Sequence, residues 1–392
     1  MLLPVAEAQT RLFALAEPVA RESVPLAEAA GRWAAQDIVA LRTQPSADLS
    51  AMDGYAIRFA DMPGPWTVIG ESAAGRAFAG AVARGEAVRI FTGAAVPEGA
   101  DTILVQEEAA REGRGLTLSG EGPPRHGSSV RHRGLDFAEG DRLVVAGQRL
   151  SPARLALAGI AGHPMLPVRR KVRVAIAATG DELVSVGAPA GDGQLPETNR
   201  IMLAAQLAGL PVEIIDLGIL PDDAGALEAA FRAVEADILV TTGGASVGDH
   251  DLVRPALEAA GAAIDFWRIA LRPGKPMMAG RLGETVTLGL PGNPVSAFVT
   301  ALLFVRPLIA HLSGAADPLP AMRTVPLGEP LPANGERTDY LRAELREGAA
   351  FASTIQDSSM LRTLARAACL IVREPGAPVA NIGDSAQILD IA

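Results

Sequence analysis

Val172-Arg173-Val174-Ala175-Ile176-Ala177-Ala178-Thr179-Gly180-Asp181-Glu182 is the stretch on which the fold turns: an apolar run that stops abruptly at a glycine and two acids. Residues 172–176 read as a short buried strand, and the turn after it as the start of a site. A helical pattern follows, with Asn199 placed to cap it before Ile201-Met202-Leu203 and Gly209 closing it. The next apolar run, residues 212–217, completes a strand–helix–strand unit. Leu227, Ala230, Phe231 and Val234 recur at helical spacing, and Ile238-Leu239-Val240 then runs into Thr241-Thr242-Gly243-Gly244-Ala245-Ser246. Residues 264–271 predict another strand, ending at Arg272-Pro273-Gly274-Lys275-Pro276. Thr287-Leu288-Gly289-Leu290 predicts one more, ending at Pro291-Gly292-Asn293-Pro294 before a long apolar helix.

Such alternation predicts an α/β domain with a mostly parallel sheet, in which ligands sit at the carboxyl ends of the strands. The four strand-end turns are therefore expected to converge. Their glycines let backbone N–H groups approach an anion, and the helix after Asn293 turns its positive end to the same region. Lys275, Arg268 and Arg272 add full positive charge, while Asp181, Glu182, Asp222 and Asp251 offer hard oxygen ligands of the kind Mg²⁺ takes. An anion site beside Mg²⁺ ligands points to phosphate chemistry. Each motif also has a plainer reading. Glycine and proline are ordinary loop punctuation, Thr179 to Glu182 suits a helix N-terminus, Asp222 or Asp223 suits the cap of the next helix, and Asp53 suits a turn beside Gly54.

The whole chain narrows these readings. Its 392 residues exceed one ordinary core, so several domains are expected. A formal charge of −10 argues against general nucleic-acid binding, which needs a net positive face. One cysteine, Cys369, leaves no internal disulfide and no multi-cysteine metal site, and the five histidines lack ligand spacing; both fit the reducing cytoplasm. No apolar run is expected to span a membrane, the nearest, around Leu302, being interrupted by Arg306 and Pro307. Arginine dominates the basic residues so far that Lys171 and Lys275 are the only lysines, and Lys275 stands inside a glycine–proline loop.

Outside the central domain, residues 1–44 together with 139–168 read as an N-terminal helical and linker domain, with amphipathic helices expected over 5–16 and 26–39. Residues 45–138 read as an inserted small β-rich domain. It opens on Pro45-Ser46-Ala47-Asp48-Leu49-Ser50-Ala51-Met52-Asp53-Gly54-Tyr55-Ala56, a run that neither helix nor strand periodicity explains and that reads as an ordered functional loop, and ends near Arg131-His132-Arg133-Gly134. The α/β domain covers 169–314, and a C-terminal β domain covers 318–392.

Six motifs, in this order, resemble the MoeA family: Ser50 to Ala56; Thr92-Gly93-Ala94 with Pro97; Thr179 to Leu183; Gly243 to Gly248 with Asp251; Pro273 to Pro276; and Leu290 to Ser296. The resemblance covers essentially the whole chain. It implies a three-layer central domain of the MogA type, a β-barrel-like C-terminal domain, and an enzyme of molybdenum cofactor biosynthesis. Such an enzyme takes adenylylated molybdopterin and molybdate and, with Mg²⁺, releases AMP and molybdenum cofactor. By the same resemblance, Asp53, Glu182, Asp222 and Asp251 match catalytic positions, and Asp181, Glu182, Asp222 and Asp251 match Mg²⁺ ligands. Thr92, Thr179, Gly180, Gly243, Gly244, Ser246, Arg268, Pro291 and Pro294 match substrate-binding positions. Arg272, Lys275, Ser296, Arg342 and Ser358 match the molybdate pocket. A homodimer with an active site shared between subunits is implied, as are transient contacts with other proteins of the pathway. Arg268 and Arg272 depart from the lysines of many relatives, and His132 interrupts an all-arginine run found in some.

Two other functions compete with the transferase. A non-catalytic carrier or scaffold of the same family is disfavoured because none of the acids is lost. A dinucleotide-dependent oxidoreductase is disfavoured because no Gly-x-Gly-x-x-Gly opens the turn after Ile176.

Overall fold

The computed structural model describes residues 2–244 and 252–391. At its centre lies a six-stranded sheet in the order Val212–Leu220, Val172–Thr179, Ile238–Thr242, Thr285–Leu290, Met278–Leu282, Ala263–Trp267. The first four strands are parallel. Met278–Leu282 runs against both its neighbours, so Ala263–Trp267 points the same way as the first four. Helices cover both faces, which is why Val174, Ile176, Ile238, Val240 and Leu288 lie in one apolar cluster and Ala175 and Leu239 in another.

Two expectations for this domain are corrected. Met278–Leu282 was not foreseen as a strand, and residues 264–271 do not form a single one. The backbone breaks at Arg268, where φ is +103°, and the following Leu271–Arg272 leaves the central sheet to pair in parallel with Thr338–Asp339 of the C-terminal domain. The apolar run continues across the break because Phe266 before it and Ile269 and Leu271 after it are all buried in one apolar cluster, although their strands belong to different sheets.

The long helix is also not interrupted at Arg306 and Pro307. It runs from Pro294 to Leu312, 19 residues, and an 18-residue stretch of it has a mean hydropathy of 1.8, long and apolar enough to cross a membrane; here 83% of that stretch is buried inside the protein. A five-residue π-helical segment, Ala301–Val305, precedes Pro307. Proline has no N–H to give the carbonyl four residues back. That carbonyl, on Leu303, instead accepts from the Gln9 side-chain amide at 2.9 Å, in buried surroundings. Gln9 belongs to the Val5–Phe13 helix, which packs through Ala8 and Leu12 into the central core rather than with the rest of the N-terminal segment.

The helix expected over 26–39 is absent. Leu26–Ala29 forms a single 3₁₀ turn, Gly31 takes φ +73°, and Ile38–Val39 pairs with Arg142–Val144. The residues after the Pro152–Ile160 helix, read as a linker, form the strand Met165–Arg169, paired antiparallel with Arg21–Pro25. Tertiary pairing overrides helix propensity here.

The inserted domain is a six-stranded sheet in which Gly54–Ile57 is an interior strand, and Leu49–Ser50 pairs with Val130–Arg131, so within the segment expected to be a loop only residues 45–48 and 51–53 lie outside strands. In the C-terminal domain the order is Leu271–Arg272, Thr338–Arg346, Cys369–Arg373, Ser385–Asp390, Met322–Pro326, with Ala349–Ala352 beside Thr338–Arg346. A bridge between Leu327 and Ala350 brings the far edge round toward the near one, giving a barrel-like curl.

Candidate functional site

The carboxyl ends of the parallel strands pack against one another through glycine. Gly243 and Gly244 have φ of +90° and +59°, values side chains disfavour. A Cβ on Gly243 would stand 2.3 Å from the Thr179 carbonyl oxygen, and one on Gly244 2.3 Å from Val253 Cγ2. Gly292 lies directly beside Gly243, and the Asn199 side chain donates to the Gly292 carbonyl at 2.8 Å. Asn199 is thus a clamp between loops and not the helix cap expected from sequence. Thr179, Thr241 and Thr242 are buried, and among the described residues their hydroxyls have no hydrogen-bond partner.

Acids gather on one flank. Asp223 caps the Ala224–Arg232 helix through the Ala226 N–H at 2.8 Å, which leaves Asp222 to the turn after Thr179. The Asp222 N–H donates to Asp181 Oδ1 at 3.1 Å, and the Glu182 carboxylate lies over Gly180. Loss of solvation raises the Asp222 pKa, and the charges of Asp181 and Glu182 add to the rise. Among the described residues no three carboxylate, imidazole or thiol groups are already set around a metal position. The donor chemistry nonetheless suits a hard divalent cation, which would offset the negative charge gathered by Asp181, Glu182 and Asp222.

Cations gather on the other flank. Leu3 forms a bridge with Ile269, and the Arg268 and Ile269 N–H groups donate to the carbonyls of Met277 and Lys275, so the segment bearing Arg268 is held on both sides. Gly274, at φ +113°, lets the following loop close on the first turns of the long helix, beside Thr300. Lys275 is exposed, and among the described residues it has no ion pair. Arg272 pairs with the buried Asp339 at 2.9 Å. Burial pushes the Asp339 pKa up, against the pull of Arg272, Arg337 and Arg373. Ser296 is buried in the first turn of the helix. The N-terminus of that helix is closed by the C-terminal domain: the Val295 N–H donates to the Ser358 carbonyl, and Asn293 Nδ2 to Ser358 Oγ, both at 3.1 Å.

Three of the expected site residues have partners of their own away from the central loops. Arg342, matched to the molybdate pocket, is 1% exposed, and its guanidinium donates to Gln356 and to the carbonyls of Ile355, Asp357 and Met360. Here it shapes the loop that carries Ser358. Asp53 and Thr92 lie in the inserted domain, where the Thr92 N–H and hydroxyl donate to Asp53 Oδ1 at 2.7 and 2.8 Å and hold its pKa down. Among the described residues no hydrogen bond joins this pair to the central loops. Instead it adjoins the other motifs of its own domain: Gly93 N–H donates to Ser50, Ala51 N–H to Ser129, and Arg133 N–H to the Asp48 carboxylate. Ser246 and Asp251 lie outside the described residues. Asn293, Asp339 and Gln356 were missed, and only Asn293, inside the Pro-Gly-Asn-Pro turn, carried a local signal.

The fold and its site define a multidomain α/β protein whose parallel sheet presents a glycine-lined crevice, acids on one side and cations on the other. Family models match in three consecutive blocks: the MoeA N-terminal region (domain I and II) over residues 3–162, a probable molybdopterin binding domain over 175–311, and the MoeA C-terminal region (domain IV) over 324–391. The molybdopterin molybdenumtransferase of Haemophilus influenzae is 42% identical over 304 residues, 76% of this chain and 74% of that one. That of Bacillus subtilis is 31% identical over 405 residues, covering 99% and 94%. The crystal structure of the molybdopterin biosynthesis moeA protein from Pyrococcus horikoshii OT3 superposes with a TM-score of 0.86 at 28% identity, covering 100% of both chains. The chain belongs to the MoeA family of molybdopterin molybdenumtransferases.

Proposed function

We propose that this chain acts in molybdenum cofactor biosynthesis as the transferase that takes adenylylated molybdopterin and molybdate and releases AMP and molybdenum cofactor. The observation that carries the reading is the separation of charge across one glycine-lined crevice. A tetrahedral dianion needs cationic donors, and in the Arg272–Lys275 loop at the positive end of the long helix Lys275 supplies an exposed charge, while Arg272 shares its own with Asp339. An adenylate phosphoanhydride needs close backbone approach and a counter-cation, which suit Gly243–Gly244 and the acids beyond Gly180. Asp181, Glu182 and Asp222, with Asp251, would hold Mg²⁺, which when bound offsets phosphate charge. Thr179 and Thr242 carry buried hydroxyls suited to hydrogen-bonding a phosphate or pterin edge.

Asp53 and Thr92 act, in this reading, in the crevice of a second copy, making the working unit a homodimer in the cytoplasm. A chain carrying Asp53→Ala, inactive alone, should restore activity to a Lys275→Ala chain when the two are mixed at a molybdate concentration too low for Lys275→Ala to turn over by itself; verified heterodimers without added activity would put the site within one chain. The activity itself is tested by AMP release from adenylylated molybdopterin with Mg²⁺, with and without molybdate. Molybdate-dependent release with active cofactor is expected. Tight adenylate binding without turnover would instead identify a carrier or scaffold.

A further inference from the structure

The C-terminal domain contains a cavity of about 350 Å³ that the reaction above does not use. Three arginines line it: Arg346 on a strand, and Arg362 and Arg366 on the Leu361–Arg366 helix. Glu344 pairs with Arg346 at 2.8 Å and lies 3.8 Å from Arg366, and among the described residues Glu329 is the only other acid in the lining. Arg362 is exposed and, among the described residues, has no ion pair. In a chain of formal charge −10, three cations against two acids make a locally positive cleft. Ser353 and Thr354 add hydroxyls at its wall, and Arg346 lies over the Phe351 ring, 5.3 Å from its centroid, which fixes the direction of that guanidinium.

We propose that this cleft binds an oxyanion group, inorganic or carried as a phosphate ester, on Arg362 with Ser353 and Thr354. Guanidinium and hydroxyl donors around a concave site match a tetrahedral oxyanion, and arginine favours such groups over simple halides because its fork meets two oxygens at once. The site would act on the crevice through the chain between them. Ser353 and Thr354 begin the loop that Arg342 and Gln356 hold and that ends at Ser358, the residue closing the long helix. An anion bridging Ser353–Thr354 to Arg362 therefore ties both ends of that loop.

The test is titration calorimetry of the full chain at low ionic strength with inorganic phosphate, sulfate and molybdate, on wild type, Arg362→Glu and Arg362→Lys. Backbone hydrogen exchange over residues 353–360 is followed alongside, with and without phosphate. Saturable phosphate binding, weakened at least about tenfold in Arg362→Glu, partly restored in Arg362→Lys and accompanied by slower loop exchange, identifies a free-oxyanion site. If inorganic anions do not bind but Arg362→Glu raises the KM for adenylylated molybdopterin with kcat unchanged, the ligand is a phosphate ester of the substrate. If neither quantity moves, the proposal is wrong. The calorimetric arm needs no turnover, so its failure is distinct from failure of the transferase reading.

Discussion

The bond between Gln9 and Leu303 makes a sharp test of how the long helix is held. Gln9→Met removes the one side-chain donor that, among the described residues, reaches the Leu303 carbonyl, while keeping side-chain length, so no large cavity follows. Both residues are buried, Gln9 at 8% and Leu303 at 2% exposure, so water cannot readily replace the lost donor. A stranded buried carbonyl costs about 1–3 kcal/mol, and that is the expected loss in unfolding free energy. Pro307→Ala supplies the missing N–H from within the helix, four residues on from Leu303. In that background Gln9→Met should cost at least about 1 kcal/mol less, since the carbonyl then has another donor. Urea unfolding of the four proteins, followed by far-ultraviolet circular dichroism, gives the cycle. Equal costs of Gln9→Met in the two backgrounds, or no cost in either, would refute the assignment of Gln9 as the substitute for the proline's missing donor.

Asp222→Asn should stabilise the Mg²⁺-free protein at neutral pH. Its folded pKa lies above the ordinary 3.8, so its charge opposes folding at high pH, and the gain should shrink as pH falls and vanish below 3.8; melting curves across pH check this. Gly243→Ala places a methyl 2.3 Å from the Thr179 carbonyl at φ +90°, forcing the crevice wall to move, and should lower AMP release about tenfold or more with unchanged circular dichroism. Lys275→Ala should raise the molybdate concentration for half-maximal AMP release about fivefold, the loss of one exposed charge contact of about 1 kcal/mol; an unchanged dependence would put the anion elsewhere.

The strand–helix alternation from Val172 to Leu290 was legible because parallel strands buried on both faces leave near-continuous apolar runs, and because each run ends in glycine. Asp223 as a cap and Asp222 as part of the acid group illustrate the limit. Two adjacent aspartates look alike in sequence, and only the direction of the chain at the helix start assigns them. Leu271–Arg272 was read as the tail of its own strand because apolar pattern records burial and not partner; the hydrogen bonds go to residues far along the chain. Met278–Leu282 was hidden by the prolines before it. Arg342 matched an anion position by motif, yet its geometry depends on where the 355–360 loop folds back. In the crevice, the glycines and charged residues were readable, whereas Asn199, Asp339 and Gln356 act through contacts between distant segments, which no local spacing encodes.

The switch of Leu271–Arg272 from the central sheet to the C-terminal one also orders events in time. As the chain leaves the ribosome, the parallel strands through Leu290 can all find one another before any residue past 320 exists. The Arg272 loop cannot take its place then, because Thr338–Asp339, which it pairs with, and Ser358, which closes the helix beside it, have not been made. A nascent chain stalled before residue 338 would hold a formed sheet with its cationic flank unset. The cationic flank is completed late in translation, together with the domain that locks it.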